Sequence, residues 1–247
     1  MPFFRRTHSS FYSGLRYGVT APIKPGDPSP VFVNGDFEQD FKNWTIIDKR
    51  LSPGGVVAGV ENTIIGCPIP AEPTPNPITI NGSPSIGQLA VLGPWSSPAY
   101  KAEIVAGGPS GKYAKLSISG IWGDLDGPNG SGYTIFGPAI VSDNPVIAAE
   151  GDRVRFNWKA EAGGDAYNIF AYLIDPKQSC KHIVLLDDNG GAVPNTPWNT
   201  ATRVIGPGEA GIYYFVFISG SFDYDRGGYS GGVLNVDEIT LDKAGTF

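Results

Sequence analysis

The chain of 247 residues carries 18 basic and 24 acidic side chains, for a formal net charge of −6. Its 34 glycines and 22 prolines interrupt the chain too often for long helices, and no apolar pattern at helical spacing persists. An acidic body excludes nucleic acid as the expected partner of the main domain, and no apolar stretch is long enough to span a membrane. A chain of this length is compatible with one large β domain.

The first 30 residues differ from the rest of the chain in charge and composition. Before Asp27 the stretch contains four basic residues and no acidic one, and a proline-rich connector ends it. Its aromatic side chains either fold back on the same subunit or dock into a neighbouring protein, with arginine supplying hydrogen bonds. The residues expected to bind a partner are Phe3, Phe4, Arg5, Arg6, Phe11, Tyr12, Arg16 and Tyr17. We therefore expect residues 1–30 to form an extended N-terminal arm.

The start of the chain lacks the apolar core of a secretory signal peptide, because residues 7–20 are polar and contain glycine. The sequence therefore favours a protein that stays in the cytoplasm or leaves by another route, such as cell lysis.

Alternating apolar and polar residues predict strands through the remainder of the chain. The predicted strands are residues 31–38, 113–121, 134–141, 146–148, 153–160, 167–174, 182–186, 213–219 and 233–241. Residues 62–98 are rich in proline, which cannot donate to a strand ladder, and predict a surface excursion with short edge strands. The strands together predict two antiparallel sheets.

Two terminal motifs resemble a known family. The sequence NGDFE at residues 34–38, followed by Trp44, and VDEITL at residues 236–241 resemble the first and last strands of carbohydrate-binding-module jelly rolls (the family 4-like and galactose-binding-like group). Intervening segments resemble a related module of bacterial surface proteins and phage virion proteins. The resemblance implies an all-β, two-sheet antiparallel jelly-roll β-sandwich over residues 31–247.

The same resemblance implies a structural calcium ion between the first and last strands. The matching acids are Glu38 and Asp237, and calcium prefers clustered oxygen ligands. The alternative is that these carboxylates are solvated or hydrogen-bonded to turn amides.

Sugar binding would need exposed aromatic side chains beside polar ones. The candidate ligand-binding residues are Trp122, Tyr224, Arg226 and Tyr229. The alternative is that the tyrosines cover a sheet edge and Trp122 caps the core.

The sequence offers little for catalysis. It has 2 histidines and none of the common nucleophile, zinc or phosphate-loop motifs, so we expect no enzymatic activity. Cys67 and Cys180 lack metal-site spacing, and we expect two thiols rather than a disulfide.

These features predict a non-enzymatic structural protein of a phage-like virion, present in many copies as a tail, fibre-base, vertex or capsid-decoration component. Its arm would bind other structural proteins, and its jelly roll would face host-surface glycans. The alternative is a carbohydrate-binding module of a bacterial surface or secreted protein, located at the cell surface or outside the cell.

Overall fold

The computed structural model describes residues 32–51, 61–70, 78–80, 83–85, 88–89, 99–119, 133–162, 166–190, 196–222 and 231–247. The first strands are β1 (Trp44–Ile47), β2 (Thr63–Ile64), β3 (Cys67–Pro68), β4 (Ile78–Ile80), β5 (Ser83–Ser85), β6 (Gln88–Leu89), β7 (Ala99–Ala106) and β8 (Lys112–Ser119). The others are β9 (Tyr133–Ser142), β10 (Val146–Ala148), β11 (Arg153–Ala162), β12 (Ala166–Asp175), β13 (Lys181–Gly190), β14 (Asn199–Val204), β15 (Gly211–Phe222) and β16 (Gly232–Asp242). Nowhere in these ranges is there a helix that could cross a membrane.

Two antiparallel sheets pack face to face. The larger sheet has the order β1-β9-β15-β12-β13, with β10 paired to β15 and β6 joined to β9 by a short parallel pairing. The smaller sheet has the order β14-β11-β16-β8-β7. The predicted two-sheet jelly-roll sandwich is confirmed.

Alternate side chains of β15 point into the space between the two sheets and form the centre of the core. Tyr213, Phe215 and Phe217 point toward the smaller sheet and are fully buried there. Phe217 meets Phe156 of β11 edge to face, with ring centroids 5.2 Å apart. Burying each such side chain contributes about 1.5–3 kcal/mol, so this layer contributes substantially to stability.

The opposite face of the larger sheet is also buried. Val216 and Ile218 alternate with the inner residues of β15 and pack with Phe170 of β12. Leu51 and Ile64, from outside the two main sheets, complete this cluster. We call this cover the outer layer: Leu51 and residues 61–70, which include the β2–β3 hairpin. This part of the proline-rich stretch lies over a sheet face rather than along a sheet edge.

The outer layer is tied to the sandwich by a disulfide, so the expectation of two free thiols was wrong. Cys67 is bonded to Cys180, with their Cα atoms 5.4 Å apart. The β2–β3 hairpin holds Cys67 in the buried cluster, and the turn between β12 and β13 brings Cys180 over it. The two residues are 113 positions apart, so only the tertiary fold brings them together.

The predicted opening strand was also wrong, because residues 32–43 form turns and the first strand begins at Trp44. We call residues 34–43 the N-terminal loop. Asn34 and Asn43 adopt positive φ angles of 63° and 69°, which asparagine tolerates better than most residues.

The expected proximity of this loop to the closing strand holds, because the Ile239 amide donates to the Gly35 carbonyl at 3.0 Å. A Cβ at Gly35 would lie 2.1 Å from the Ile239 carbonyl oxygen, so only glycine fits.

Replacing both Cys67 and Cys180 by serine should lower the free energy of unfolding by roughly 2–5 kcal/mol, because the bond closes a long loop in the unfolded chain. Urea unfolding with and without reductant measures this difference. Reductant should destabilise the wild type and leave the double variant unchanged. Equal stability of the two proteins under oxidising conditions would show that the bond contributes nothing.

Candidate functional site

The N-terminal loop is closed by a single asparagine side chain. Asn34 Nδ2 donates to the carbonyls of Asp40 at 2.8 Å and Lys42 at 2.7 Å. Asn34 Oδ1 accepts from the Gln39 amide at 3.0 Å. The Asn34 side chain is buried, so these bonds replace water and fix the loop that carries Glu38.

Both predicted metal ligands reach the turn between β7 and β8, residues 107–111. The Lys112 amide, directly after this turn, donates to Glu38 Oε1 at 2.7 Å. The Ser110 amide donates to Asp237 Oδ2 at 3.0 Å, and the Ser110 hydroxyl donates to Asp237 Oδ1 at 2.8 Å. The structure therefore brings the two carboxylates to one turn from opposite ends of the chain.

A β-bulge in β16 sets the position of Asp237. Arg155 pairs with Thr240 and Asn157 with Asp237, so β16 has an extra residue across this interval. Glu238 takes a positive φ of 51° in the bulge, and its amide donates to Asp237 Oδ1 at 2.7 Å. Asp237 is fully buried, and burial raises the pKa of its carboxyl above the ordinary value.

A hard cation such as calcium prefers oxygen ligands. The groups that would hold it are the carboxylates of Glu38 and Asp237, with the Ser110 hydroxyl beside Asp237. No group of three or more His, Cys, Asp or Glu side chains in the described part of the chain could hold a metal ion. The structure shows both carboxylates hydrogen-bonded to turn amides, and the calcium ion remains a prediction.

The hydrogen-bond partners of Glu38 and Asp237 are backbone amides and a serine hydroxyl, which the strand pattern did not predict. Residues 107–111 read Gly-Gly-Pro-Ser-Gly, a strong turn signal directly before a predicted strand. That signal identifies a hairpin, but it does not reveal which carboxylates the hairpin receives.

A second polar cluster lies at the end of the β12–β13 pair. The Tyr167 hydroxyl donates to Asp188 Oδ2 at 3.1 Å. Burial, and then the charge of Asp188, raise the pKa of the neighbouring Asp187 to about 6. Burial also raises the pKa of Asp188, although its hydrogen bond from Tyr167 opposes the shift. The sequence does not reveal this cluster, because Asp187 and Asp188 resemble the start of a turn.

The predicted sugar-binding residues Trp122, Tyr224, Arg226 and Tyr229 lie outside the described residues. The same is true of the arm residues Phe3, Phe4, Arg5, Arg6, Phe11, Tyr12, Arg16 and Tyr17. The base of the segment that carries Tyr224 is described: the Ser221 hydroxyl donates to the Gly231 carbonyl at 3.0 Å. Ser221 pairs with Tyr167, so the polar cluster of β12 and β13 adjoins this base.

No family model matches this chain, and no curated protein shows a significant sequence match. The solved structures that match are mainly carbohydrate-binding modules. One, described as a promiscuous carbohydrate-binding module of the β-sandwich superfamily, is 12% identical with a TM-score of 0.39; the match covers 64% of this chain and 59% of that one. A module specific for non-crystalline cellulose is 12% identical with a TM-score of 0.35, over 58% of this chain and 82% of that one.

A phage protein is also among the matches. The enzymatically active domain of tailspike protein 4 of bacteriophage CBA120 is 10% identical with a TM-score of 0.37. That match covers 85% of this chain and 21% of the tailspike chain. Thus the chain spans less than two thirds of two of these structures, and its fold assignment rests on its own strand pairing.

If calcium binds at the junction, adding it should raise the melting temperature of the wild type, and a chelator should lower it. Binding to the native state alone adds about 2.7 kcal/mol at a concentration about 100 times Kd. Glu38→Gln should remove most of this response, whereas Glu103→Gln, which changes an acid on β7, should retain it. A melting temperature that neither calcium nor chelator changes would contradict the site.

Asp187 should make the protein less stable as pH rises. Its pKa is raised from 3.8 to about 6 on folding, so the native state binds more protons than the unfolded state between these values. The free energy of unfolding therefore falls as pH increases through this window, and Asp187→Asn should reduce that fall. The remaining fall comes from other carboxyls whose pKa is raised, such as Asp188 and Asp237. Urea unfolding at a series of pH values tests it, and parallel pH profiles for both proteins would refute it.

Proposed function

We propose that this chain is a non-enzymatic structural protein of a phage-like virion that displays a carbohydrate-binding-like jelly roll. The jelly roll would face outward and recognise host-surface glycans, and residues 1–30 would attach it to the particle in many copies. A position in the tail, fibre base, vertex or capsid decoration would suit this arrangement. Calcium at the junction of Glu38 and Asp237 would stabilise the sandwich rather than take part in a reaction.

The contrast between a basic, aromatic arm and an acidic body is the observation that carries this proposal, and the Cys67–Cys180 disulfide supports its location. Structural disulfides persist in oxidising surroundings and are rare in the cytosol of mesophiles. A particle released by lysis meets that condition, and so does a surface or secreted protein. The bond therefore supports a working location outside the reducing cytosol.

The arm favours the virion setting over the alternative. Its arginines and aromatic residues suit docking in a groove, where they would pair with carboxylates and bury apolar surface. The remaining chain is acidic, with 14 basic and 24 acidic residues from Asp27 onward. A basic arm on an acidic body is suited to linking neighbouring subunits.

A carbohydrate-binding module of a bacterial surface or secreted protein is the second candidate, because the sandwich and the disulfide suit it equally. Mass spectrometry of purified particles and of cell-surface fractions from the source culture separates the two. Recovery in particles with capsid and tail proteins supports the first candidate. Recovery only in the surface or secreted fraction supports the second.

Deleting residues 1–30 should abolish incorporation into the parent particle while leaving the melting temperature of the sandwich nearly unchanged. Occupancy is measured by quantitative mass spectrometry of particles carrying either protein. As a matched control, lysine at Arg5, Arg6 and Arg16 keeps the charge but loses bidentate hydrogen bonding, and should reduce occupancy only in part. Normal occupancy of the truncated protein, or unfolding of the sandwich on truncation, would refute the role of the arm.

A further inference from the structure

The larger sheet extends past the smaller one at one side of the sandwich. Strand β9 lies across from β7, which is the last strand of the smaller sheet, and β1 is the next strand beyond β9. The inward face of β1 therefore points past β7 rather than onto a strand of the smaller sheet. We call this gap the open rim: it lies beside Ala102 and Ile104 of β7 and opposite Ile46 of β1.

Ile46 is the apolar side chain that the open rim leaves exposed. It is paired with Ile140, which is fully buried between the sheets, so the side chain of Ile46 also points inward. Ile46 is nevertheless 39% exposed. The N-terminal loop covers the start of β1, where the rings of Phe37 and Trp44 pack with centroids 5.3 Å apart. An inward isoleucine with this exposure marks a place where the core has an incomplete cover.

The free edge of β7 presents main-chain groups to the open rim. At the end of the β7–β8 hairpin the Gly107 amide donates to the Gly111 carbonyl at 2.7 Å. Alternation along β7 then directs the N–H and C=O groups of Ala102 and Ile104 away from β8. Among the strands that the structure describes, none pairs with this side of β7. Such an edge is a template for one further strand, which would lie across from β1.

The arm contains a segment with the pattern of the missing strand. Residues 15–20 read Leu-Arg-Tyr-Gly-Val-Thr, in which apolar and polar positions alternate as they do in a strand with one buried face. Added beside β7, this segment would direct Leu15, Tyr17 and Val19 into the open rim. These three side chains would cover Ile46.

Charge also favours the arm as the occupant. Arg16 would lie on the outward side of the added strand, on the same face of the sheet as Glu103 of β7. Before Asp27 the arm carries four basic residues and no acidic one, whereas the rest of the chain is acidic. The attraction between the arm and the body therefore adds to the burial of apolar side chains.

The arm of another copy suits the open rim better than the chain's own arm. The ring of Phe32 packs on Trp44 with centroids 5.8 Å apart, so the arm joins the body two residues along β1 from Ile46. Residues 21–30 contain four prolines, and a proline-rich connector of this length would span roughly 30 Å when extended. A connector this long and stiff would carry residues 15–20 away from their own open rim.

We propose that residues 15–20 of one copy add as a strand beside β7 of a second copy and cover Ile46. The inference rests on the role of the arm in the proposed function, and it names another copy of this chain as the arm's receptor. Each copy would donate one arm and accept one, so the contact is heterologous and passes from subunit to subunit until a ring closes.

Sedimentation of the purified full chain tests this self-association. The wild type should form oligomers, and Ile46→Asp should weaken their association about tenfold or more, because it replaces a buried apolar contact by a charge. Tyr17→Ser, on the donating side, should weaken association as well. Val204→Asp is the matched control: it changes an exposed apolar residue on β14, at the other edge of the smaller sheet, and should associate like the wild type. Melting temperatures establish that each variant is folded.

A photo-crosslinking residue in place of Tyr17, in an equal mixture of isotopically light and heavy full chains, identifies the occupant. Crosslinks from one copy to residues 44–47 or 99–106 of the other support the proposal. Crosslinks confined to one copy assign the open rim to the chain's own arm and overturn the exchange. Crosslinks to other surfaces, or a wild type that stays monomeric, overturn the open rim as the receptor. Loss of particle occupancy on deletion of residues 1–30 would in that case still support attachment by the arm, to a different protein.

Discussion

The structure depends on the burial of both faces of its larger sheet. Strand β15 is apolar on both sides: Phe215 and Phe217 face the smaller sheet, and Val216 and Ile218 face away from it. A sheet of this kind cannot face water on one side, so a two-layer sandwich is insufficient. The outer layer supplies the missing cover, and the Cys67–Cys180 bond fastens it to the turn that follows β12. Among the described residues, this cover leaves the smaller sheet with the more polar outward face.

At the smaller sheet, the two ends of the domain are joined where Glu38 and Asp237 meet the turn of residues 107–111. The pairing of strand β16 with β8 ends at Val236. The bulge at Glu238 then turns the backbone of β16 toward the N-terminal loop. Asp237 is buried at this point and is satisfied by the Ser110 amide and hydroxyl. The same carboxylate that would bind calcium is therefore part of the fold without it. Stability and any metal response are expected to be coupled through this residue.

The sequence predicted strands well where one face is buried and the other solvated. Alternation identified β8 and β11 because their inward residues are apolar and their outward residues polar. It missed β7 and β14, the two edges of the smaller sheet, whose burial patterns are weak. The NGDFE motif marked the correct place but not a strand, because Asn34 closes a loop there. The disulfide, the outer layer and the edge-to-face contact between the Tyr113 and Trp198 rings were not predictable, since each joins residues that only the tertiary fold brings together.

Native-state hydrogen exchange on the wild type and on the protein reduced at its disulfide tests the closed larger sheet most directly. Amides of β15 and β12 should exchange slowest in the wild type, because they lie in the middle of the sheet beneath two covers. Reduction should accelerate exchange first in residues 61–70 and 180–184, while the smaller sheet stays protected. Exchange in residues 61–70 that is already fast in the oxidised protein, or unaffected by reduction, would contradict the account.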